Sequence, residues 1–355
     1  MTGQNVGRGI TVMAPAGVPE VRKGDDLAAL LLHALDRAET SLPSAELASR
    51  DVSADAGDVS ADVRDVSALR DGDIVVVTSK VVSKAEGQVR EGNRDDALPG
   101  ETTRVVARRG PTQIVRSRLG LTMAAAGIDA SNVEAGHIVL LPLDPDASAR
   151  TLRATLRDRT GANVGVIITD TAGRAWRDGQ TDIAIGSAGL EVLESFAGQI
   201  DAFGNDLVVT APAVVDEIAS AAEISQGKLG ARPFAILRGR ADLVREPGDD
   251  GPGASTLIRP EGSDFFGFGA REAVVRALKG AAEDQAPFGA PASIEELSAA
   301  VTEVTGTSPV PHEGGLQVAG ADPAVIAALA FAHGWRCERN DVNHGATSHL
   351  LPLTT

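Results

Sequence analysis

Cysteine is almost absent: Cys337 is the only one in 355 residues. No disulfide can form within the chain, any metal must be held by oxygen and nitrogen ligands, and a buried structural thiol is the role expected for Cys337. No apolar run approaches the roughly 20 residues that cross a bilayer. The opening MTGQNVGRGITVMAPAG has neither the apolar block nor the cleavage site of a signal peptide, so a cytoplasmic location without membrane attachment is expected. Positive charge is also scarce. A formal net charge of −16 argues against nonspecific attraction to nucleic acid or to an anionic membrane surface. An anionic substrate would therefore need a local reversal of the field, from carboxylate-bound divalent cations or from the basic run Arg104, Arg108, Arg109, Arg116 and Arg118. A solvated face with snorkelling side chains explains that run equally well.

What is present is enough apolar material, 43% of the chain, to fill the core of one large domain or of a large and a small one. The segment from Asp25 to about Glu39, DDLAALLLHALDRAE, has leucines at helical spacing behind acidic residues that suit a helix start. Residues 51 to 71 repeat a seven-residue unit, DVSADAG, DVSADVR, DVSALRD, too short and polar for a coiled coil or a solenoid. Residues 48–70 therefore read as a surface insertion. From Gly72 the pattern turns to short β-branched runs, Ile74 to Val77, Ile138 to Leu143, Val164 to Ile168, Leu207 to Val209 and Phe234 to Leu237, which suit strands buried on both faces. Helical segments lie between them: Ala147 to Arg157, with Asp146 as N-cap and Gly161 after its end, and Val214 to Ile224, with Asp216 and Glu217 in its first turn. The stretch AEDQAPFGAPAS reads as a linker. Beyond it, helices are expected over Ser293 to Val304 and Pro323 to His333. The expected division is a main domain over 1–280 and a linker with a small C-terminal α/β extension over 281–355.

Three segments carry groups suited to chemistry. In VGVIITDTAGRAWRDGQTD a buried strand delivers Asp170 and Thr171 at its carboxyl end, where open sheets commonly place ligands. A carboxylate beside a hydroxyl suits magnesium or manganese, although a turn-capping aspartate would look the same. In Gly127 to Asn132, Asp129 could bind metal while Asn132 reads a base or phosphate; an Asx-turn or helix cap fits this composition equally well. In VVVTSKVVSK a strand ends in Thr78 and Ser79 and presents Lys80 and Lys84, natural partners for phosphate. The phosphate loop GxxxxGK(S/T) is absent from the chain, and spacing alone does not establish nucleotide binding.

Taken together, VVVTSKVVSKAEGQ, AAAGIDASNV, VIITDTAGRAWRDGQTDIAIGSAGL, GNDLVVTAPAVVDEIASAAEISQGKLG and FAILRG resemble the coenzyme F420:L-glutamate ligase family, also described as F420-0:gamma-glutamyl ligase. The blocks follow in the same order over roughly residues 10 to 275. The resemblance implies an α+β fold with a mixed sheet rather than the doubly wound layout that alternation alone suggests, and a homodimer built through intertwined strands. It implies GTP-dependent amide formation between the coenzyme F420 precursor and L-glutamate, with further gamma-linked additions, through an acyl phosphate and release of GDP. A ligase of the same scaffold with a different anionic acceptor, or a noncatalytic GTP-binding module, are the alternatives.

The resemblance also carries site residues. GTP contacts fall on Val18, Pro19, Glu20, Val21, Ser79, Lys84, Asn132, Gln226 and Gly227. Asp129, Asp170 and Thr171 fall on metal ligands for two Mg²⁺ or Mn²⁺ ions, with K⁺ as an additional candidate. The late loop reads QGKLGARP, and Lys228 stands where an oxygen ligand is expected, leaving Gln226 or Glu223 to substitute. Arg174 and Arg177 are candidates for stabilising transferred phosphate or substrate carboxylates by loop position and charge, which a surface salt bridge would explain equally well.

Overall fold

In the computed structural model the described residues are 9–40, 68–342 and 345–353. They form two compact units, one from the described residues up to Thr102 together with Ser117–Ile258, the other from Thr103–Arg116 together with Arg259 onward. That grouping parts after Ile258, ahead of the expected division near 280.

The first unit is built on a five-stranded mixed sheet in the order Thr11–Met13, Phe234–Arg238, Ile74–Thr78, Gly165–Arg174, Arg177–Ala188. Only the central pair, Ile74–Thr78 with Gly165–Arg174, is parallel; the other three pairings are antiparallel. The architecture is thus a mixed α and β one, with smaller sheets beside the main one. The β-branched runs are continuous because both faces are covered. Val75, Val77, Val166 and Ile168 pack with Leu31, Leu35, Leu152 and Leu156 on one face. Ile74, Val76 and Ile167 pack with Val215, Ile218 and Ala222 on the other. Successive strand residues alternate between these cores, each contributing roughly 1.5–3 kcal/mol by burial.

Several local expectations shift for identifiable reasons. The first helix is Leu27–Thr40, and Asp26 precedes it as a cap, accepting from the Ala29 N–H at 3.0 Å. The helix Pro145–Thr160 is capped by Asp144, not Asp146. The Asp146 carboxylate instead accepts from the backbone N–H groups of Ser187 (2.8 Å), Ala254 (2.8 Å) and Ser255 (3.2 Å). The run Ile138 to Leu143 yields a strand only over His137–Val139, since the carbonyls of Leu141, Pro142 and Leu143 all accept from the Arg118 guanidinium. Of Leu207 to Val209, only Leu207 pairs, and Val208 and Val209 are exposed. Of the heptad segment, residues 51–67 lie outside the described residues. Leu69, at its end, is a core residue, so the surface insertion stops short of it.

In the second unit an antiparallel sheet, ordered Val310–His312, Gly315–Ala319, Gly345–Pro352, Trp335–Val342, packs with the helices Ile294–Thr305 and Pro323–Ala332. Leu297, Val301, Leu316, Val318, Ile326, Ala330, Trp335 and Leu350 form its core. Cys337 is half-buried against that core rather than enclosed in it. The stretch expected as a linker holds two short 3₁₀ turns, Ala282–Asp284 and Ala286–Phe288, with Asp284 and Pro287 buried.

Candidate active site

The parallel pairing brings the chemistry together. Thr78 is the register partner of Thr169, so Ser79, just past the end of its strand, lies beside Asp170, which sits midway along Gly165–Arg174 rather than at the expected carboxyl end because the strand continues in pairing with Arg177–Ala188. Ser79 Oγ donates to Asp170 Oδ1 at 2.8 Å. Ser79 also opens the helix Ser79–Ala85, and Lys80 and Lys84, four apart on it, lie on one side. Lys80 Nζ reaches Asp129 Oδ2 at 2.7 Å and the Ser131 hydroxyl at 2.8 Å. Lys84 Nζ is ion-paired with Glu20 and donates to the Asn132 carbonyl at 2.7 Å.

Across the antiparallel neighbour, Thr171 is in register with Asp182, beside a bulge between Ile168 and Thr169. The Asp182 carboxylate is buried and accepts from both threonine hydroxyls, Thr171 at 2.7 Å and Thr169 at 2.9 Å. Asp170 is therefore set close to a second carboxylate in a recessed position. Burial first, and Asp182 second among the raising causes, push its pKa up to about 7. Asp129 behaves oppositely. Burial raises it, but the hydrogen bonds from Lys80 and Ser131 outweigh this and hold it below the usual carboxylate range. Ser131 N–H donates to Asp129 Oδ1 at 2.8 Å, so Asp129 makes an Asx-turn and faces the site at once.

These residues surround one cavity of about 730 Å³, within the size range of small-ligand sites. Val18, Pro19, Glu20, Val21, Ser79, Lys84, Asp129, Asn132, Asp170, Thr171, Gln226 and Gly227 all line it; Arg174 and Arg177 do not. Those two arginines stand opposite each other at the exposed end of the hairpin formed by Gly165–Arg174 and Arg177–Ala188, where Arg174 donates to the Asp178 carbonyl at 3.0 Å. Gln226 is 2% exposed, and neither of its amide atoms has a partner. An unmatched buried amide costs about 1–3 kcal/mol, and Gln226 is one of the residues that line the cavity.

Among the described residues no cluster of three or more His, Cys, Asp or Glu side chains suits a metal ion. A hard divalent ion needs no such cluster where one or two carboxylates are joined by waters and substrate phosphates. Asp170, the Thr171 hydroxyl and the Gln226 amide, which all line the cavity, are oxygen donors that could serve such an ion. Asp182 was not among the expected site residues, and Lys80, expected as a phosphate partner, pairs instead with Asp129. Asp182 follows a polar hairpin in the sequence, and only strand register sets it against Thr171.

The F420-0:gamma-glutamyl ligase family model matches residues 17–98 and 96–239, a span that includes every residue lining this cavity. The chain belongs to that family. Relatives called coenzyme F420:L-glutamate ligase bear this out. The Archaeoglobus fulgidus protein is 34% identical over 252 residues, 65% of this chain and 88% of the relative. The Methanothermobacter thermautotrophicus protein is 31% identical over 280 residues, 73% of this chain and 99% of the relative. The Methanopyrus kandleri protein is 38% identical over 220 residues, 56% of this chain and 86% of the relative. In this gamma-glutamyl ligase the second compact unit lies largely beyond the family match.

Proposed function

We propose that this protein joins coenzyme F420-0 to L-glutamate through an amide bond and adds further glutamates in gamma linkage, with GTP as the source of energy. The observation that carries the proposal is the single cavity that holds both the lysine and hydroxyl groups suited to phosphate and the recessed carboxylates suited to a cation. A carboxylate oxygen of the acceptor attacks the γ-phosphorus, and GDP leaves. The glutamate nitrogen then attacks the resulting acyl phosphate, losing a proton as phosphate departs.

Lys84 is the phosphate partner in this scheme. Its present counterion, Glu20, has a side chain that is 69% exposed, so an incoming phosphate can displace it without stranding a buried charge. Ser79 orients Asp170 by donating to it. Asp129, Asp170 and Thr171, with Gln226, would hold Mg²⁺ or Mn²⁺, which when bound neutralises charge on the transferring phosphoryl group. The role of K⁺ and of a second divalent ion belongs to the same proposal. Arg174 and Arg177 stand outside the cavity and are given no step.

The homodimer is retained from the resemblance; the exposed Trp176, Phe203 and Val209 are apolar surface of the kind a second copy covers. A cytoplasmic location is retained too, and no helix among the described residues is long and apolar enough to cross a membrane. The deciding experiment is GDP release by the purified protein with GTP, Mg²⁺ or Mn²⁺, L-glutamate and F420-0, omitting each in turn. Glutamylated product that needs every component supports the proposal. Turnover of GTP with another acid, or nucleotide binding without product, replaces it with a different acceptor or a noncatalytic role.

A further inference from the structure

The cations that line the cavity are not all matched by acids. Lys84 is paired with Glu20, Lys80 with Asp129 and Lys228 with Glu223. Arg94 and Arg232 line it too, and among the described residues neither forms an ion pair. Arg232 belongs to the late loop QGKLGARP, beside the nucleotide contacts expected at Gln226 and Gly227. Arg94 lies outside every segment expected to hold GTP or metal. In a chain with 49 acidic against 33 basic side chains, an arginine left without a carboxylate is available to an anion from outside.

Local structure fixes where Arg94 stands. Asn93 caps the helix Arg94–Glu101 by accepting from the Asp96 N–H at 3.0 Å, so Arg94 is its first residue. The helix dipole favours Asp95 and Asp96 in that turn and disfavours a cation, so helix stability does not account for arginine at this position. Arg94 Nε donates to the Ile128 carbonyl at 3.2 Å, one residue before Asp129. The two terminal nitrogens have no partner among the described residues. They keep the planar fork that matches both oxygens of a carboxylate.

The reaction decides which carboxylate suits that fork. The acceptor's carboxylate needs an oxygen free to attack phosphorus, and a bidentate clamp would hold both. L-Glutamate instead enters with two carboxylates that keep their oxygens while its nitrogen forms the bond. We propose that Arg94 binds a carboxylate of the incoming L-glutamate and so positions its amine on the Asp129 side of the cavity. This rests on the ligase reading of the cavity and deepens it by naming a residue that recognises the amino-acid substrate.

The test is steady-state kinetics of the full-length protein, with GTP, Mg²⁺, L-glutamate and F420-0 each varied in turn. Arg94→Ala should raise the KM for L-glutamate about ten- to a hundredfold, the scale of lost hydrogen bonds to a charged group, and leave the other three requirements within about twofold. Arg94→Lys, which keeps the charge and loses the fork, should fall between. Arg94 is exposed, and circular dichroism checks that each variant is folded. An unchanged glutamate KM in Arg94→Ala would overturn the proposal. So would a rise confined to F420-0, which would make Arg94 an acceptor contact, or to GTP or Mg²⁺, which would leave it a tie for the Asp129 segment. A wild type that forms no glutamylated product would instead overturn the ligase reading itself.

Discussion

Replacing Asp170 by Asn separates what the site needs for function from what it imposes on the empty fold. Asparagine preserves the shape and an acceptor for the Ser79 hydroxyl, and removes the titrating group. The carboxyl titrates at about 7 in the folded protein against an ordinary value of 3.8, a gap of about three units at about 1.4 kcal/mol each. Because the folded value is the higher one, protonated Asp170 is favoured by folding. Its contribution is fully present below the unfolded pKa and is lost as pH rises through the folded one. Metal-free wild type should therefore lose up to about 4 kcal/mol of stability from this group by about pH 8, and about 2 kcal/mol by about pH 5.5. Water reaching the half-buried carboxylate through the cavity makes both figures upper bounds. Urea unfolding in the presence of a chelator, at both pH values, reads this directly. Asp170→Asn should be more stable than wild type at both, with the larger margin at the higher pH, and should have lost ligase turnover. An equal margin at the two pH values, or a variant less stable than wild type near pH 8, would refute the electrostatic argument; near-wild-type turnover would remove Asp170 from the metal site.

Asp182→Asn removes the charge that helps raise Asp170 and leaves one threonine hydroxyl without its acceptor; the Asp170-linked loss of stability should move to lower pH and turnover should drop at least about tenfold, measured by the same unfolding series and by GDP release. Lys84→Met should raise the GTP concentration needed for half-maximal rate by about tenfold or more, and an unchanged requirement would make Lys84 purely structural. Deleting residues 48–67 should leave specific activity intact, whereas Leu69→Ala should cost about 2–5 kcal/mol in urea unfolding because Leu69 is part of the core. A large activity loss in the folded deletion variant would show that the repeats take part in function.

The sequence by itself determined the β-branched runs Ile74 to Val77, Val164 to Ile168 and Phe234 to Leu237 and the main helices, because burial on both faces and helical spacing are written in local patterns; the continuation of the middle run to Arg174 and the strand Arg177–Ala188 came only from hairpin pairing. Family membership was legible as well, since five short blocks in one order are specific where each alone is weak. Most candidate residues, from Val18 to Gly227, lie on one cavity for the same reason. What the local pattern left open was long-range pairing. Asp146 reads as a helix cap, yet it ties together backbone N–H groups more than forty and a hundred residues away. Arg174 and Arg177 read equally as site cations or as surface salt-bridge partners, and hairpin register sets them opposite each other at the exposed end of their strands. Asp182 and Lys228 gain their meaning only from the tertiary structure. Strand register puts the Asp182 carboxylate 2.7 Å from Thr171 Oγ1, and the turn after Gln226 brings the Lys228 ammonium to 2.8 Å from the same oxygen; neither distance can be deduced from spacing along the chain.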